Sequence, residues 1–168
     1  MRAAILTLSD KGSRGERVDA SGPALSAWLE ERGVTTVVAE VIADEYQQII
    51  AKLTAWADSD TADLILTTGG TGVSPRDVTP EATLQVVTRL IPGMAELMRL
   101  RSMEKTKMAA LSRAVAGIRA QSLIINLPGQ PKGAVENLEA VWQVVDHAVD
   151  KIRGDSSDCG GRFCLASE

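Results

Sequence analysis

One segment of this chain limits its fold more than any other: the short run Asp63-Leu64-Ile65-Leu66 leads through Thr67-Thr68 directly into Gly69-Gly70-Thr71-Gly72, with Thr79-Pro80-Glu81 close behind. A short, continuous apolar run is the pattern of a strand buried on both faces of a parallel sheet. Three glycines in four positions let the backbone approach a ligand, and successive amide groups in such a turn form an anion-binding concavity. Thr79 is placed as a helix N-cap, Pro80 at the first helical position, and Glu81 at the positive end of the helix dipole. The segment therefore predicts a strand, a phosphate-binding loop and a helix starting near Pro80. Arg76 and Asp77 fall on the exposed stretch between them, offering a guanidinium to a phosphate and an oxygen ligand to a divalent cation. Without a ligand, the same residues would form only a tight strand-to-helix turn rich in small side chains.

The rest of the chain alternates in the same way. Residues 3–8 read as a strand that enters a polar loop at 9–15, and a helix over 21–32 follows, capped by Ser21 and stopped by Gly33. A β-branched strand over 34–42 ends at Ala43-Asp44-Glu45, and Ile49, Ile50, Leu53 and Trp56 mark the next helix. The helix from Pro80 runs to about Arg89; Pro92-Gly93 breaks it, and another begins at Met94. Residues 115–118 and 122–127 read as a hairpin, and the turn at 128–133 opens a long helix through Arg153 with Leu138, Val141, Val145 and Val149 on one face. Strands alternating with helices predict an α/β fold: three layers, α/β/α, with a mostly parallel sheet and a short antiparallel hairpin element. The domain would span residues 1–153, with a flexible tail at 154–168. Four polar loops (9–15, 43–45, 68–79 and 128–132) each follow a strand's carboxyl end, which is where ligands bind in such sheets.

With 168 residues, 45% apolar and 24% charged, the chain has the make-up of one soluble domain with a sizeable core. A net charge of −4 argues against broad nucleic-acid affinity, so an anionic ligand must be met locally. No apolar run reaches membrane-spanning length, and the first residues do not read as a signal peptide, which predicts a cytoplasmic protein. The only cysteines, Cys159 and Cys164, lie in the tail as reduced thiols, a tail disulfide or an intermolecular metal clip; two thiols alone cannot complete a structural zinc site. The single histidine, His147, reads as structural or solvated, and Met94, Met98, Met103 and Met108 as core or subunit packing.

The ordered blocks Leu8-Ser9-Asp10, Ala43-Asp44-Glu45, residues 67–81, Pro92-Gly93-Met94, Leu111-Ser112-Arg113 and Asn126-Leu127-Pro128-Gly129-Gln130-Pro131 closely resemble the molybdopterin-binding family. Within it, the likeness is to the bacterial adenylyltransferases and the related domain of gephyrin-type proteins, across about the first 153 residues. The resemblance implies a homotrimeric enzyme of molybdenum cofactor biosynthesis that transfers AMP from Mg-ATP to the terminal phosphate of molybdopterin and releases pyrophosphate. Metal insertion would follow on a separate insertase. Asp44 and Asp77 would be the catalytic residues and Mg²⁺ ligands. Gly69, Gly70, Thr71, Gly72, Ser74, Ser112, Arg113, Leu127, Pro128 and Gly129 would bind substrate and its phosphates, and Ser9 and Asp10 would lie on the nucleotide side.

Taken singly, several of these residues read two ways. Asp44 is also placed to cap the helix beginning near Glu45, Arg113 to form a surface ion pair, Ser112 to turn the chain, and Pro128-Gly129 is a turn signal in any protein. A competing reading is a non-catalytic molybdopterin-binding or scaffold module, which would need the glycine loop but not two metal-competent carboxylates. An unrelated nucleotide-binding fold ranks last, since neither GxxxxGK[ST] nor a dinucleotide fingerprint is present.

Overall fold

A computed structural model describes residues 1–156, so Cys159 and Cys164 and the expectations for them lie outside the described residues. Six strands form one sheet: β1 (Arg2–Leu8), β2 (Thr35–Ile42), β3 (Leu64–Thr68), β4 (Arg89–Leu90), β5 (Ala116–Arg119) and β6 (Ser122–Leu127), in the order β2-β1-β3-β6-β5-β4. The first four in that order are parallel, and β5 and β4 close the edge antiparallel. The helices are α1 (Asp10–Ser13), α2 (Ser21–Glu30), α3 (Tyr46–Asp58), α4 (Thr79–Val86), α5 (Pro92–Met103) and α6 (Pro131–Ile152), with a 3₁₀ turn at Lys107–Leu111.

Side chains alternate across a strand, so a sheet covered on both faces needs apolar residues at every position. Ile5, Leu64, Leu66, Leu123 and Ile125 meet α2, α5 and α6 on one face through Leu25, Leu29, Met98, Leu138 and Val141. Ala4, Leu6, Ile65 and Ile124 meet α3 and α4 on the other through Ile49, Leu53, Ala82 and Val86. Burying each such Leu or Ile contributes about 1.5–3 kcal/mol, which makes the sheet a rigid base for its carboxyl rim. Met94 and Met98 are core residues, Met108 is exposed, and His147 is half-buried on α6.

Four local expectations are corrected. Thr79 is not an N-cap: it is buried inside α4's first turn, and its hydroxyl donates to Gly69 O at 3.0 Å. Ser21 is not one either. The Asp19 carboxylate accepts from Ser21 N at 2.9 Å and from Gly22 N, while the Ser21 hydroxyl donates to Gly129 O at 2.7 Å. The helix from Pro80 stops at Val86, because Thr88 N and Ile91 N donate to Ile118 O and Ala116 O and make β4. Finally, Pro92 does not precede the next helix but opens it, filling a position where no N–H is required.

Candidate active site

The four polar loops do converge. Those after β1, β2, β3 and β6 line one cleft of about 570 Å³ at the carboxyl ends of the parallel strands, reached by Ser9, Asp44, Gly69, Gly70, Asp77 and Gly129. A second cleft of about 290 Å³ lies across the glycine loop, between Thr71, Gly72 and Ser112 on one side and Arg99, Lys105 and Asn137 of α5, the turn after it and α6 on the other. Gln130 borders both. The glycine loop is thus a partition between two adjoining spaces of ligand-binding size.

Two glycines make that partition. Gly69 takes φ of 105° and lies where a Cβ would strike Leu8 O, while Gly70 takes φ of 62° and would direct a Cβ at Thr79 and, at 3.0 Å, at Asp44 Oδ1. The loop is tied down by Gly69 N donating to Leu127 O at 3.1 Å and Thr79 N donating to Gly70 O at 3.2 Å.

Asp44 and Asp77 approach this loop from different strand ends. Asp44 Oδ2 accepts from Asp10 N at 3.0 Å, and Asp44 N donates to Asp10 Oδ1 at 3.1 Å, so each aspartate fixes the other's backbone. Asp44 therefore does not cap α3, which starts at Tyr46 without a side-chain cap. Asp77 Oδ2 accepts from Ser74 N at 2.8 Å, closing a turn in which Asp77 N donates to Ser74 O. Among the described residues neither carboxylate forms an ion pair. Burial pushes the Asp44 carboxyl above the usual aspartate range, aided by the nearby charges of Asp10 and Asp77 and opposed by the Asp10 amide and Arg76. Asp10 moves the opposite way, because Arg76 donates to its two oxygens at 3.0 and 2.8 Å. Arg76 also donates to Glu45 at 2.7 Å, so the guanidinium expected at a phosphate instead fastens residues 68–79 to the loops after β1 and β2.

The remaining expected residues divide. Thr71, Gly72, Ser112 and Pro128 line the smaller cleft, and Ser9, Gly69, Gly70 and Gly129 the larger. Ser9 also caps α1 by accepting from Gly12 N at 3.0 Å. Leu127, expected to bind substrate, has a fully buried side chain, and its carbonyl anchors Gly69. Ser74 lines neither cleft and serves Asp77's turn. Arg113 is likewise turned away from both: its guanidinium donates to Gly72 O at 2.6 Å, to Asp77 O and to Glu81.

Sequence reasoning missed Asp19, which seats the start of α2 at the edge of the larger cleft and accepts from the Thr7 hydroxyl at 2.8 Å. An acid just before Ser21-Gly22-Pro23 is an N-terminal helix signal that would have found it. Arg99 was also missed. Its guanidinium donates to Ala114 O at 3.1 Å, and only tertiary packing brings it there. Asn126, fully buried, donates to the hydroxyls of Thr67 and Thr83 at 2.9 and 2.8 Å and accepts from Val115 N, joining β6 to β3, α4 and the segment after Arg113.

Among known proteins, the family described as "Probable molybdopterin binding domain" matches residues 4–147. The chain is 44% identical over 153 residues to the molybdopterin adenylyltransferase of Helicobacter pylori strain J99, an alignment covering 90% of this chain and 87% of that one. It is 45% identical over 143 residues to the molybdopterin adenylyltransferase of Escherichia coli K12, covering 84% and 73%. The crystal structure of the molybdopterin biosynthesis enzyme MoaB from Thermus thermophilus superposes with a TM-score of 0.86 at 52% identity, over 92% of this chain and 97% of that one. A match of this extent to sequence and fold alike places the chain in the molybdopterin-binding domain family, to which it belongs.

Proposed function

We propose that this chain is a molybdopterin adenylyltransferase, moving AMP from ATP to the terminal phosphate of molybdopterin. The observation that carries the reading is the pair Asp44 and Asp77, set on two loops against the glycine loop, Asp44 beside Gly70 and Asp77 beside Gly72, with no cationic partner among the described residues. The relatives named for this activity are 44% and 45% identical to it over most of its length. The larger cleft would take the nucleotide and the smaller one molybdopterin, so that the phosphates meet over the glycine loop.

In the reaction, a molybdopterin phosphate oxygen attacks the α-phosphorus of ATP; the new P–O bond forms as the α–β anhydride bond breaks, and pyrophosphate leaves with the electron pair. No side-chain nucleophile is needed, so the work of the protein is alignment and charge neutralisation. Gly69 N is taken up by Leu127 O, so the amides of residues 70–72 would be the ones to meet the transferring phosphate. Asp44, held by the Asp10 amide, and Asp77, held by the Ser74 amide, are fixed before substrate arrives. Two carboxylates with free acceptor capacity, where no group of three or more His, Cys, Asp or Glu side chains is set to hold a metal among the described residues, would suit an oxygen-seeking ion that draws its other ligands from phosphates and water. Mg²⁺ bound there would neutralise charge on the phosphates.

The test is a discontinuous assay of purified protein with molybdopterin and Mg-ATP, scoring adenylylated molybdopterin and pyrophosphate. The parent should form both, and Asp77→Asn should bind molybdopterin but lose AMP transfer. Tight binding without product in the parent would establish the binding-module reading instead.

The assembly is proposed as a homotrimer, supported by the resemblance and by Leu100, Met108 and Leu111, which leave apolar surface on α5 and the turn after it. Light scattering at micromolar concentration should give three times the chain mass; a monomeric mass would refute it. No helix among the described residues is long and apolar enough to cross a membrane. A cytoplasmic setting and handover to an insertase complete the proposal, and recovery in a membrane fraction would count against the first.

A further inference from the structure

Arg113 stands beside the glycine loop with its guanidinium pointed into protein. We infer that it is a positioning residue, fixing the Asp77 carboxylate by bracing residues 72–77 from behind without touching substrate. The inference rests on the adenylyl-transfer reading for the importance of Asp77, but the brace itself is a matter of geometry.

Each edge of the guanidinium is engaged. Nε donates to Gly72 O at 2.6 Å, Nη2 to Asp77 O, and Nη1 to the Glu81 carboxylate, while Arg113 N donates to Thr71 O at 3.0 Å. One residue from outside the loop therefore grips its beginning, its end and the first turn of the helix that follows. Between those points the chain closes on itself through Ser74 N to Asp77 Oδ2 and Asp77 N to Ser74 O, at 2.8 and 2.9 Å. That internal turn sets the carboxylate relative to Ser74. The outside grip sets the turn relative to the sheet.

The brace has a firm footing of its own. Arg99 donates to Ser112 O at 3.4 Å and Ala114 O at 3.1 Å, on either side of Arg113, and Val115 N donates to the buried Asn126 amide oxygen at 3.2 Å. Arg113 lines neither of the two clefts and instead borders an open groove shared with Val73, Ser74, Pro75, Asp77 and Glu81. Reaching a phosphate would mean breaking two hydrogen bonds to carbonyls and an ion pair. A planar fork is what this site needs, since a lysine ammonium is a point donor and cannot span Gly72 O and Asp77 O as a rigid unit.

The experiment compares the full chain with Arg113→Gln, Arg113→Lys and Glu81→Gln, reading steady-state AMP transfer, molybdopterin affinity and amide hydrogen exchange across residues 72–79. Arg113→Gln should lower kcat about 100-fold while molybdopterin affinity changes by less than about threefold, the pattern of a misplaced reacting group. Exchange at the Ser74 and Asp77 amides should quicken about 10-fold, because the turn is released from its outside support. Glu81→Gln leaves both carbonyl contacts in place and should stay nearer the parent on every readout. Should Arg113→Gln not fold, Arg113→Lys keeps the charge and size and should show the same loss of protection. Molybdopterin or ATP binding weakened about tenfold or more, with exchange at parental rates, would make Arg113 a substrate contact and overturn the inference. If the parent itself fails to transfer AMP, the adenylyl-transfer reading falls, and the exchange measurement still decides whether Arg113 braces the loop.

Discussion

The two ends of the parallel sheet carry the same kinds of charged side chain in opposite states of satisfaction. At the amino end, Asp63 accepts from Arg2 N at 2.7 Å, from the Arg2 guanidinium at 2.9 Å and from Arg153 at 2.6 Å, and both arginines also reach Asp60. At the carboxyl end, Asp44 and Asp77 are held by backbone amides and have no guanidinium partner among the described residues, while the nearby arginines are occupied elsewhere, Arg76 with Asp10 and Glu45 and Arg113 with loop carbonyls and Glu81. A carboxylate whose acceptor sites are filled by arginine is a fastening. One that is oriented by an amide and then left facing a cleft keeps its lone pairs for a ligand.

The largest effect this contrast predicts is on Asp44. Asn at this position can still accept from Asp10 N but cannot neutralise a cation, so Asp44→Asn should lower AMP transfer by about 100-fold or more. The ligand-free protein should lose no thermal stability, because no ion pair is broken and a half-buried charge is removed. A variant that unfolds several degrees early yet keeps its activity would break the comparison, placing Asp44 among the fastenings with Asp63.

Sequence patterning reached the architecture for a physical reason: a sheet buried on both faces must write continuous apolar runs such as Leu64-Ile65-Leu66, and a covering helix must repeat at 3.6 residues, as Leu138, Val141, Val145 and Val149 do. It also brought the four rim loops together, since the carboxyl ends of parallel strands share one side. It failed where a side chain's partner is set by tertiary packing. Ser21 and Thr79 carry the chemistry of helix caps, yet their hydroxyls turn to the carbonyls of Gly129 and Gly69, partners supplied by the packing of loops against one another. Arg76 and Arg113 posed the same problem in sharper form. Arginine beside a glycine loop reads as a phosphate ligand, and only the folded structure reveals that backbone carbonyls and acids have already claimed its donors. Two-residue β4 was invisible because a strand that short has no period, and its pairing with β5 was the only signal of it.

A smaller effect, in stability alone, tests the other end. Burial would raise the Asp63 carboxyl, but the hydrogen bonds from Arg2's side chain and amide, with the charges of Arg2 and Arg153, outweigh it and hold the group below the ordinary range. A carboxyl depressed in the folded state stabilises that state fully above its unfolded value, and the contribution is lost as pH falls through the folded one. Asp63→Asn should therefore destabilise the protein near neutrality by about 2 kcal/mol, the scale of hydrogen bonds to a charged group. Urea unfolding of parent and variant should show this gap at about pH 7 and a narrowing gap once the pH drops below about 4, the ordinary carboxyl value. A gap that holds constant into acid would mean that shape and hydrogen bonding, and not charge, fasten this end of the sheet. The distinction between its two ends would then rest on what Asp44 and Asp77 do for a ligand, with no electrostatic counterpart at Asp63.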